Sequence, residues 1–200
     1  LGNALVDMYA KCGVLEKARE VLLKIPIRSI ISWNALIAGY AQEGQCHDVL
    51  VTLGHMQKDG ISPNEVTILH VLKACSQLGK LREAEMYYEN MSKDYHITPI
   101  LEHHTCMVGA LGYGGCFEKA MFVINKISHV ESPCIWIALL GACRKWGNVK
   151  LGRLAFDRAI ELDPNLASPY ALMSSIYGDS GMCEDVQKIE IMRHRNRVYG

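Results

Sequence analysis

The sequence predicts an all-α fold, an array of antiparallel helical hairpins stacked into a superhelix. Three observations carry that prediction. Glycines recur at Gly13, Gly44, Gly79, Gly115, Gly147 and Gly181, so consecutive ones lie 31 to 36 residues apart. Two residues after each stands an apolar residue: Leu15, Cys46, Leu81, Phe117, Val149 and Cys183. Five residues after each stands a small or β-branched one: Ala18, Val49, Ala84, Ala120, Gly152 and Val186. A period in the thirties is that of two-helix repeats, each of which buries its apolar face only against its neighbours. Such an array presents a long binding surface, which favours a binding module over an enzyme.

In each unit a first helix precedes the glycine and a second follows it. In the first unit Leu5, Met8 and Tyr9 are read as the apolar face before Lys11-Cys12-Gly13. Leu15, Ala18, Val21 and Leu22 then form a stripe at helical spacing, and Pro26 closes the helix. The second unit spans Ile31 to Ala41, Gly44, and Cys46 to Met56, with Gly60-Ile61-Ser62-Pro63 as its stop. The third runs from Val66 through Gly79 to about Met91, and the fourth from Glu102 through Gly115 to Ile127. The last two differ. One carries Trp136, Leu139, Leu140, Cys143, Leu151, Leu154 and Ala155 and ends Leu162-Asp163-Pro164. The other carries Tyr170, Leu172, Met173, Ile176, Tyr177, Val186 and Ile189, and both look like tetratricopeptide-type hairpins. The glycines suit the left-handed position between paired helices, and the small residues five further on suit a close helix crossing.

Composition narrows the function classes. Half of the residues are hydrophobic, enough for each hairpin to bury a face. Lys and Arg balance Asp and Glu at 21 each, which neither demands nor forbids nucleic acid, since a basic stripe can sit inside a neutral total. The eight cysteines include no C-x-x-C pair and mostly fall on apolar helix phases, so buried free thiols in a reducing compartment are expected. The longest apolar run, Cys134 to Cys143, is too short to span a bilayer, so no membrane partner is expected. No targeting segment opens the chain, which starts at Leu1 within a helical pattern and reads as a piece of a longer protein.

Several stretches match a known repeat. Asn3-Ala4-Leu5-Val6-Asp7-Met8-Tyr9-Ala10-Lys11-Cys12-Gly13 closely resembles the short repeat variant of plant pentatricopeptide repeat proteins. Ser32-Trp33-Asn34-Ala35-Leu36-Ile37-Ala38-Gly39-Tyr40 resembles the standard repeat of the mixed-length subclass. Asn64-Glu65-Val66-Thr67, continuing to Leu72-Lys73-Ala74-Cys75-Ser76, resembles its long variant. Trp136, the run Ala138 to Arg144, and Gly147-Asn148-Val149 resemble the first C-terminal extension motif, and Ser174-Ser175-Ile176-Tyr177 the second.

The resemblance implies a right-handed α-solenoid with four repeats over residues 1–132: a short one at 1–29, a standard one at 30–64, a long one at 65–100 and a short one at 101–132. Two tetratricopeptide-like extension motifs follow at 133–166 and 167–198. It also implies sequence-specific binding of single-stranded RNA in a plant mitochondrion or chloroplast, with the mitochondrion slightly favoured. In the family one repeat faces one base. The readers are the fifth and last residues of a motif, and the second residue wedges against the base. Carried onto this chain, the pairs are Asn3 with Ser29, Asn34 with Asn64 (wedge Ile31), Leu69 with Ile100 (wedge Val66), and Thr105 with Ser132 (wedge Glu102). Asn offers a donor and an acceptor to a base edge, whereas Leu69 and Ile100 offer neither. By the family's code Asn3 with Ser29 favours cytosine, Asn34 with Asn64 a pyrimidine, and Thr105 with Ser132 weakly a purine.

The implied role is site recognition for C-to-U editing or other transcript processing, with editing-complex proteins or a deaminase supplied in trans as partners. The alternative is a structural RNA-contacting subunit of an organellar ribonucleoprotein such as a mitochondrial ribosome. No catalytic residue, metal or cofactor is expected within these residues. A deaminase needs H-x-E with P-C-x-x-C. His129-Val130-Glu131 and Pro133-Cys134 echo this, but Ile137 stands where the second cysteine is required. His103, His104 and Cys106 do not share one helix face, so they do not read as a metal site. Lys145, Lys150, Arg153 and Arg158, and Arg193, Arg195 and Arg197, are candidate phosphate contacts, with a solvated helical face as the simpler reading. The family's closing basic-Gly-Val and Pro-Gly run is replaced by Arg193-His194-Arg195-Asn196-Arg197-Val198-Tyr199-Gly200.

Overall fold

The computed structural model describes residues 2–127 and 130–199, with side chains to Asn196. Twelve α-helices and no strand occur among the described residues. They are α1 (Gly2–Lys11), α2 (Leu15–Lys24), α3 (Ile30–Gln42), α4 (Cys46–Lys58), α5 (Glu65–Gln77), α6 (Leu81–Lys93), α7 (Leu101–Tyr113), α8 (Phe117–Asn125), α9 (Cys134–Trp146), α10 (Val149–Leu162), α11 (Ala167–Asp179) and α12 (Cys183–Tyr199). They fall into two compact units, Leu1–His103 and His104–Gly200.

Each glycine of the repeat sits in the left-handed region, with φ between 63° and 78°. The amide after each glycine reaches back to the carbonyl five residues earlier. Gln45 N donates to Tyr40 O at 2.8 Å, Lys80 N to Cys75 O at 2.9 Å, and Asn148 N to Cys143 O at 3.0 Å. This closure satisfies a helix-end carbonyl, and only glycine adopts the required φ without strain. The chain thus turns at the same place in every hairpin.

The small residues five beyond the glycines lie at the helix crossings. Ala18, Val49, Ala84 and Ala120 are fully buried, and Gly152 is buried. A Cβ on Gly152 would stand 3.0 Å from Ile176 Cδ1 and 3.4 Å from Cys143 Cβ, which measures how closely its neighbours approach. The sixth such residue, Val186, is only partly covered. In the first unit the core gathers Leu22, Leu36, Ile37, Leu53, Met56, Ile68 and Leu72 from successive helices. In the second, Phe156 meets Tyr170 edge-on at 5.4 Å. The Tyr170 hydroxyl donates to Pro164 O at 3.0 Å and accepts from Asn196 Nδ2 at 2.6 Å, pinning the turn between α10 and α11.

Three expectations need correction. In α1 the buried face is Val6 and Ala10, while Leu5 and Met8 are exposed. Val6 and Ala10 sit one helical turn apart on the side where α2 and α3 pack, so packing selected a stripe rotated from the bulkiest residues. Leu154 is exposed likewise, because Ala155, Phe156 and Ala159 take the inner face of α10. The thiols are less buried than expected. Cys46, Cys75 and Cys143 are buried, but Cys12, Cys134 and Cys183 are exposed and Cys106 and Cys116 half-buried. Cys12 precedes the helix-ending glycine, where the backbone is already turning outward. Of the residues two after the glycines, only Leu15 and Cys46 are fully covered.

Candidate nucleic-acid interface

The first helices α3, α5 and α7 begin at Ile30, Glu65 and Leu101, which makes Asn34, Leu69 and Thr105 the fifth residue of each. For α3 and α5 that shared position follows from a common starting signal, an extended residue that caps the helix. Ser29 (ψ 162°) and Asn64 (ψ −173°) are those caps for α3 and α5, each in a capping box with the residue three on, Ser32 and Thr67. Such reciprocal bonds satisfy amides that a helix start leaves unpaired.

Two expected pairs are in direct contact. Asn3 Nδ2 donates to Ser29 Oγ at 3.0 Å, and Asn34 Nδ2 donates to Asn64 Oδ1 at 2.9 Å. All four residues are half-buried, so each keeps an accessible edge. The sequence separations are 26 and 30 residues, and the closing residue of one hairpin is the cap of the next hairpin's first helix. Arg28 holds Ser29 in place. Its Nη1 lies 2.7 Å from Asp59 Oδ2, while its Nε and Nη2 donate to Leu22 O and Leu23 O, each at 3.0 Å. One guanidinium thereby ties the ends of α2 and α4 together.

The wedge positions Ile31 and Val66 are exposed apolar side chains, at 66% and 43% of their full accessibility. Beta-branched residues at the second position of a helix that keep much of their surface accessible are suited to contact a flat apolar face. Glu102, the wedge of the fourth pair, is also exposed. Leu69 is half-buried and Ile100 exposed, and neither carries a side-chain hydrogen-bonding group. Thr105 is half-buried, and the Ser132 hydroxyl accepts from the Cys134 amide at 3.4 Å, beside the start of α9.

Sequence reading missed the residue at the third position of each first helix. Ser32, Thr67 and His103 are fully buried polar groups. Thr67 Oγ1 lies 2.6 Å from Asn34 Oδ1, and the Thr67 amide donates to Asn64 Oδ1 at 3.1 Å. Ser32 Oγ donates to Ser29 O at 2.8 Å. His103 Nδ1 accepts from Ile100 N at 3.2 Å, so its Nε2 donates to Glu65 O at 2.9 Å. For Ser32 and Thr67 a partial signal was available, a Ser or Asn cap followed three residues later by a hydroxyl that can return the bond; Ile100 before His103 gives none.

The basic residues near the extension motifs are mostly engaged within the chain. Lys145 Nζ donates to Tyr113 O at 2.9 Å and lies 5.4 Å from the Trp146 ring. Arg153 pairs with Asp157 at 3.0 Å, Arg158 with Glu161 at 3.0 Å and Arg193 with Glu190 at 3.9 Å. These four side chains therefore have partners within the chain. Lys150 and Arg195 are exposed, and the side chain of Arg197 lies outside the described residues. His129 of the deaminase-like echo also lies outside them. No group of three or more His, Cys, Asp or Glu suited to a metal ion occurs among the described residues.

Comparison with known proteins gives this geometry a family. Residues 28–77 match the PPR repeat family, and residues 3–30 and 66–95 match the PPR repeat. A pentatricopeptide repeat-containing protein of Arabidopsis thaliana is 36% identical over 94% of this chain and 27% of its own length. Another from the same plant, named as mitochondrial, is 40% identical over 98% of this chain and 31% of its own length. A third, named as chloroplastic, is 38% identical over 94% of this chain and 25% of its own length. The chain therefore spans about a quarter to a third of these relatives. Among solved structures, PPR10 in complex with an 18-nucleotide psaJ RNA element shares the fold with a TM-score of 0.75 at 14% identity, over 98% of this chain and 30% of that one. The PPR domain of Arabidopsis thaliana PRORP1 in complex with tRNA has a TM-score of 0.68 at 19% identity, over 94% of this chain and all of that one. Helical hairpins turning on left-handed glycines, repeat matches over residues 3–95 and similarity along nearly the whole chain lead to one conclusion: residues 3–95 carry pentatricopeptide repeats, in a chain similar throughout to pentatricopeptide repeat-containing proteins of a plant.

Proposed function

We propose that these residues are the RNA-reading segment of a plant organellar protein that selects a site in single-stranded RNA for C-to-U editing or other processing. The observation that carries the reading is the contact between expected reader pairs, Asn3 with Ser29 and Asn34 with Asn64. A polar side chain buttressed by a second one, next to an exposed apolar residue, can stack one face of a base and hydrogen-bond its edge. Relatives named as mitochondrial and chloroplastic support an organellar setting. The RNA complexes of PPR10 and PRORP1 support RNA as the ligand of this fold.

In this reading the repeats alternate in length as short, standard, long and short, and residues 133–198 form two extension motifs that recruit or position a deaminase. RNA runs with its 5′ end nearer the N-terminus. The third repeat is indifferent to base because Leu69 and Ile100 cannot hydrogen-bond an edge. Thr105 with Ser132 prefers a purine weakly.

The test is Asn34→Thr. Affinity is measured for single-stranded RNAs that differ only at the nucleotide facing the second repeat. Wild type should prefer a pyrimidine there, and the variant should move toward purines. Base contacts discriminate by about 1–3 kcal/mol in DNA readout, which sets the scale. An equal loss of affinity for all four bases would remove Asn34 as a reader and favour the ribonucleoprotein-subunit alternative, in which backbone and shape dominate.

A further inference from the structure

We infer that Thr67, which belongs to the third repeat, is a positioning residue for base selection by the second. The inference rests on the proposed reading of RNA by Asn34 and Asn64. Among the described residues, three of the four fully or nearly fully buried polar ones, Ser32, Thr67 and His103, occupy the third position of a first helix. Burial of a polar side chain at a recurring place is costly unless its hydrogen bonds are made. At Thr67 those bonds run to the reader of the preceding repeat.

The bonding is determined by counting donors and acceptors. Asn64 Oδ1 accepts from the Thr67 amide at 3.1 Å and from Asn34 Nδ2 at 2.9 Å, which occupies both lone pairs. The Thr67 hydroxyl accepts from the Asn64 amide at 3.2 Å. Its single hydrogen is then best placed toward Asn34 Oδ1, at 2.6 Å, rather than toward the saturated Asn64 Oδ1 at 2.9 Å. Asn34 is therefore held at both ends of its amide. A flip would set its oxygen against Asn64 Oδ1, a repulsive contact in place of a hydrogen bond, and would force the Thr67 hydroxyl hydrogen to turn away to Asn64 Oδ1. One Nδ2 hydrogen and one Oδ1 lone pair remain for a base, in a fixed order. That order is what distinguishes one base edge from another.

The first repeat lacks this second restraint. Asn3 is bonded to Ser29 Oγ, but Ser32, in the place of Thr67, donates to the Ser29 carbonyl instead. Thr67 thus makes the Asn34 position the more selective of the two asparagine readers.

The experiment compares Thr67→Val, Thr67→Ser and Ser32→Ala in the 200-residue chain. Valine keeps the β-branched shape and the backbone amide but removes the hydroxyl. Binding is measured by fluorescence anisotropy with RNAs varied only at the nucleotide facing Asn34. Thr67→Val should lower the pyrimidine-to-purine affinity ratio by roughly threefold to tenfold, the worth of one neutral hydrogen bond. Thr67→Ser should keep the wild-type ratio. Ser32→Ala removes a comparable cap bond, and the ratio at Asn34 should not change. A wild-type ratio in Thr67→Val, or a loss in Thr67→Ser equal to that in valine, would overturn the inference.

A second measurement needs no RNA. In the free protein the Nδ2 protons of Asn34 should be resolved by NMR, and the one donated to Asn64 Oδ1 should be slow to exchange. Thr67→Val should speed that exchange at least severalfold. Unchanged exchange would overturn the inference on its own. A wild type without base preference, combined with Thr67-dependent exchange, would instead sink the RNA-reading proposal and leave the ordering of Asn34 by Thr67 standing.

Discussion

Asn34, Asn64 and Thr67 come from two separated stretches of sequence and act as one hydrogen-bonded group. The cost of burying Thr67 is met by bonds that also orient its neighbours, so a helix cap and a proposed reading position share the same atoms. Not every buried polar group is so well satisfied. His70 on α5 has its Nδ1 buried without a partner. Burial, and then the charge of Lys73 one turn on, hold its imidazole below the ordinary value of 6.5. Unfolding frees His70 to take up a proton, so between the two values the unfolded chain binds more protons and stability rises with pH. His70's contribution is complete above about pH 6.5 and is lost as pH falls through that window toward the depressed folded value. The melting temperature of wild type should therefore drop more between pH 7.5 and 5.5 than that of His70→Gln, read by thermal circular dichroism. Equal drops would show that His70 is not the group responsible. The thiols behave in the opposite direction: burial pushes Cys75 up to about 11 and Cys143 up to about 12, so both stay protonated at neutral pH.

At the scale of the helix, the repeat is a device for bringing two helices close. The left-handed glycine turns the chain, and the residue five beyond it sits where the partners cross. Ala84 on α6 and Ala120 on α8 are both fully buried there. Ala84→Leu or Ala120→Leu must push the helices apart or force off-rotamer side chains, an overpacking that costs about 1–3 kcal/mol. Urea unfolding should show a lower midpoint for each, and unchanged midpoints would remove the crossing argument. The two changes lie in different compact units, so each reports on its own surroundings. The exposed face of α1 teaches the complementary lesson. Leu5 and Met8 obey helical spacing as well as Val6 and Ala10 do, so the pattern alone left two stripes available. The contacts of α2 and α3 chose between them.

Over the whole molecule the 21 cationic and 21 anionic side chains cancel, and many of the arginines and lysines are already paired within the chain. If these residues read RNA through base edges, few phosphates are neutralised. Binding to a single strand weakens by about 0.7 in log K per phosphate for each unit of log salt. A slope no steeper than about −2 is expected between 50 and 500 mM salt on this scale. A steep slope would mean that phosphate attraction, without base reading, drives association. The sequence by itself determined the period, the six turns and the helical class, because left-handed glycine and amphipathic spacing are local rules that neighbours hardly alter. It also pointed to Asn3, Ser29, Asn34 and Asn64, through their phase in a familiar repeat. Only the tertiary structure decided which apolar stripe is buried, which cysteines are covered and that Thr67 bonds Asn34 across 33 residues. Those outcomes depend on which helix packs against which. A hydrogen bond between side chains of adjacent hairpins leaves no periodic trace in either segment.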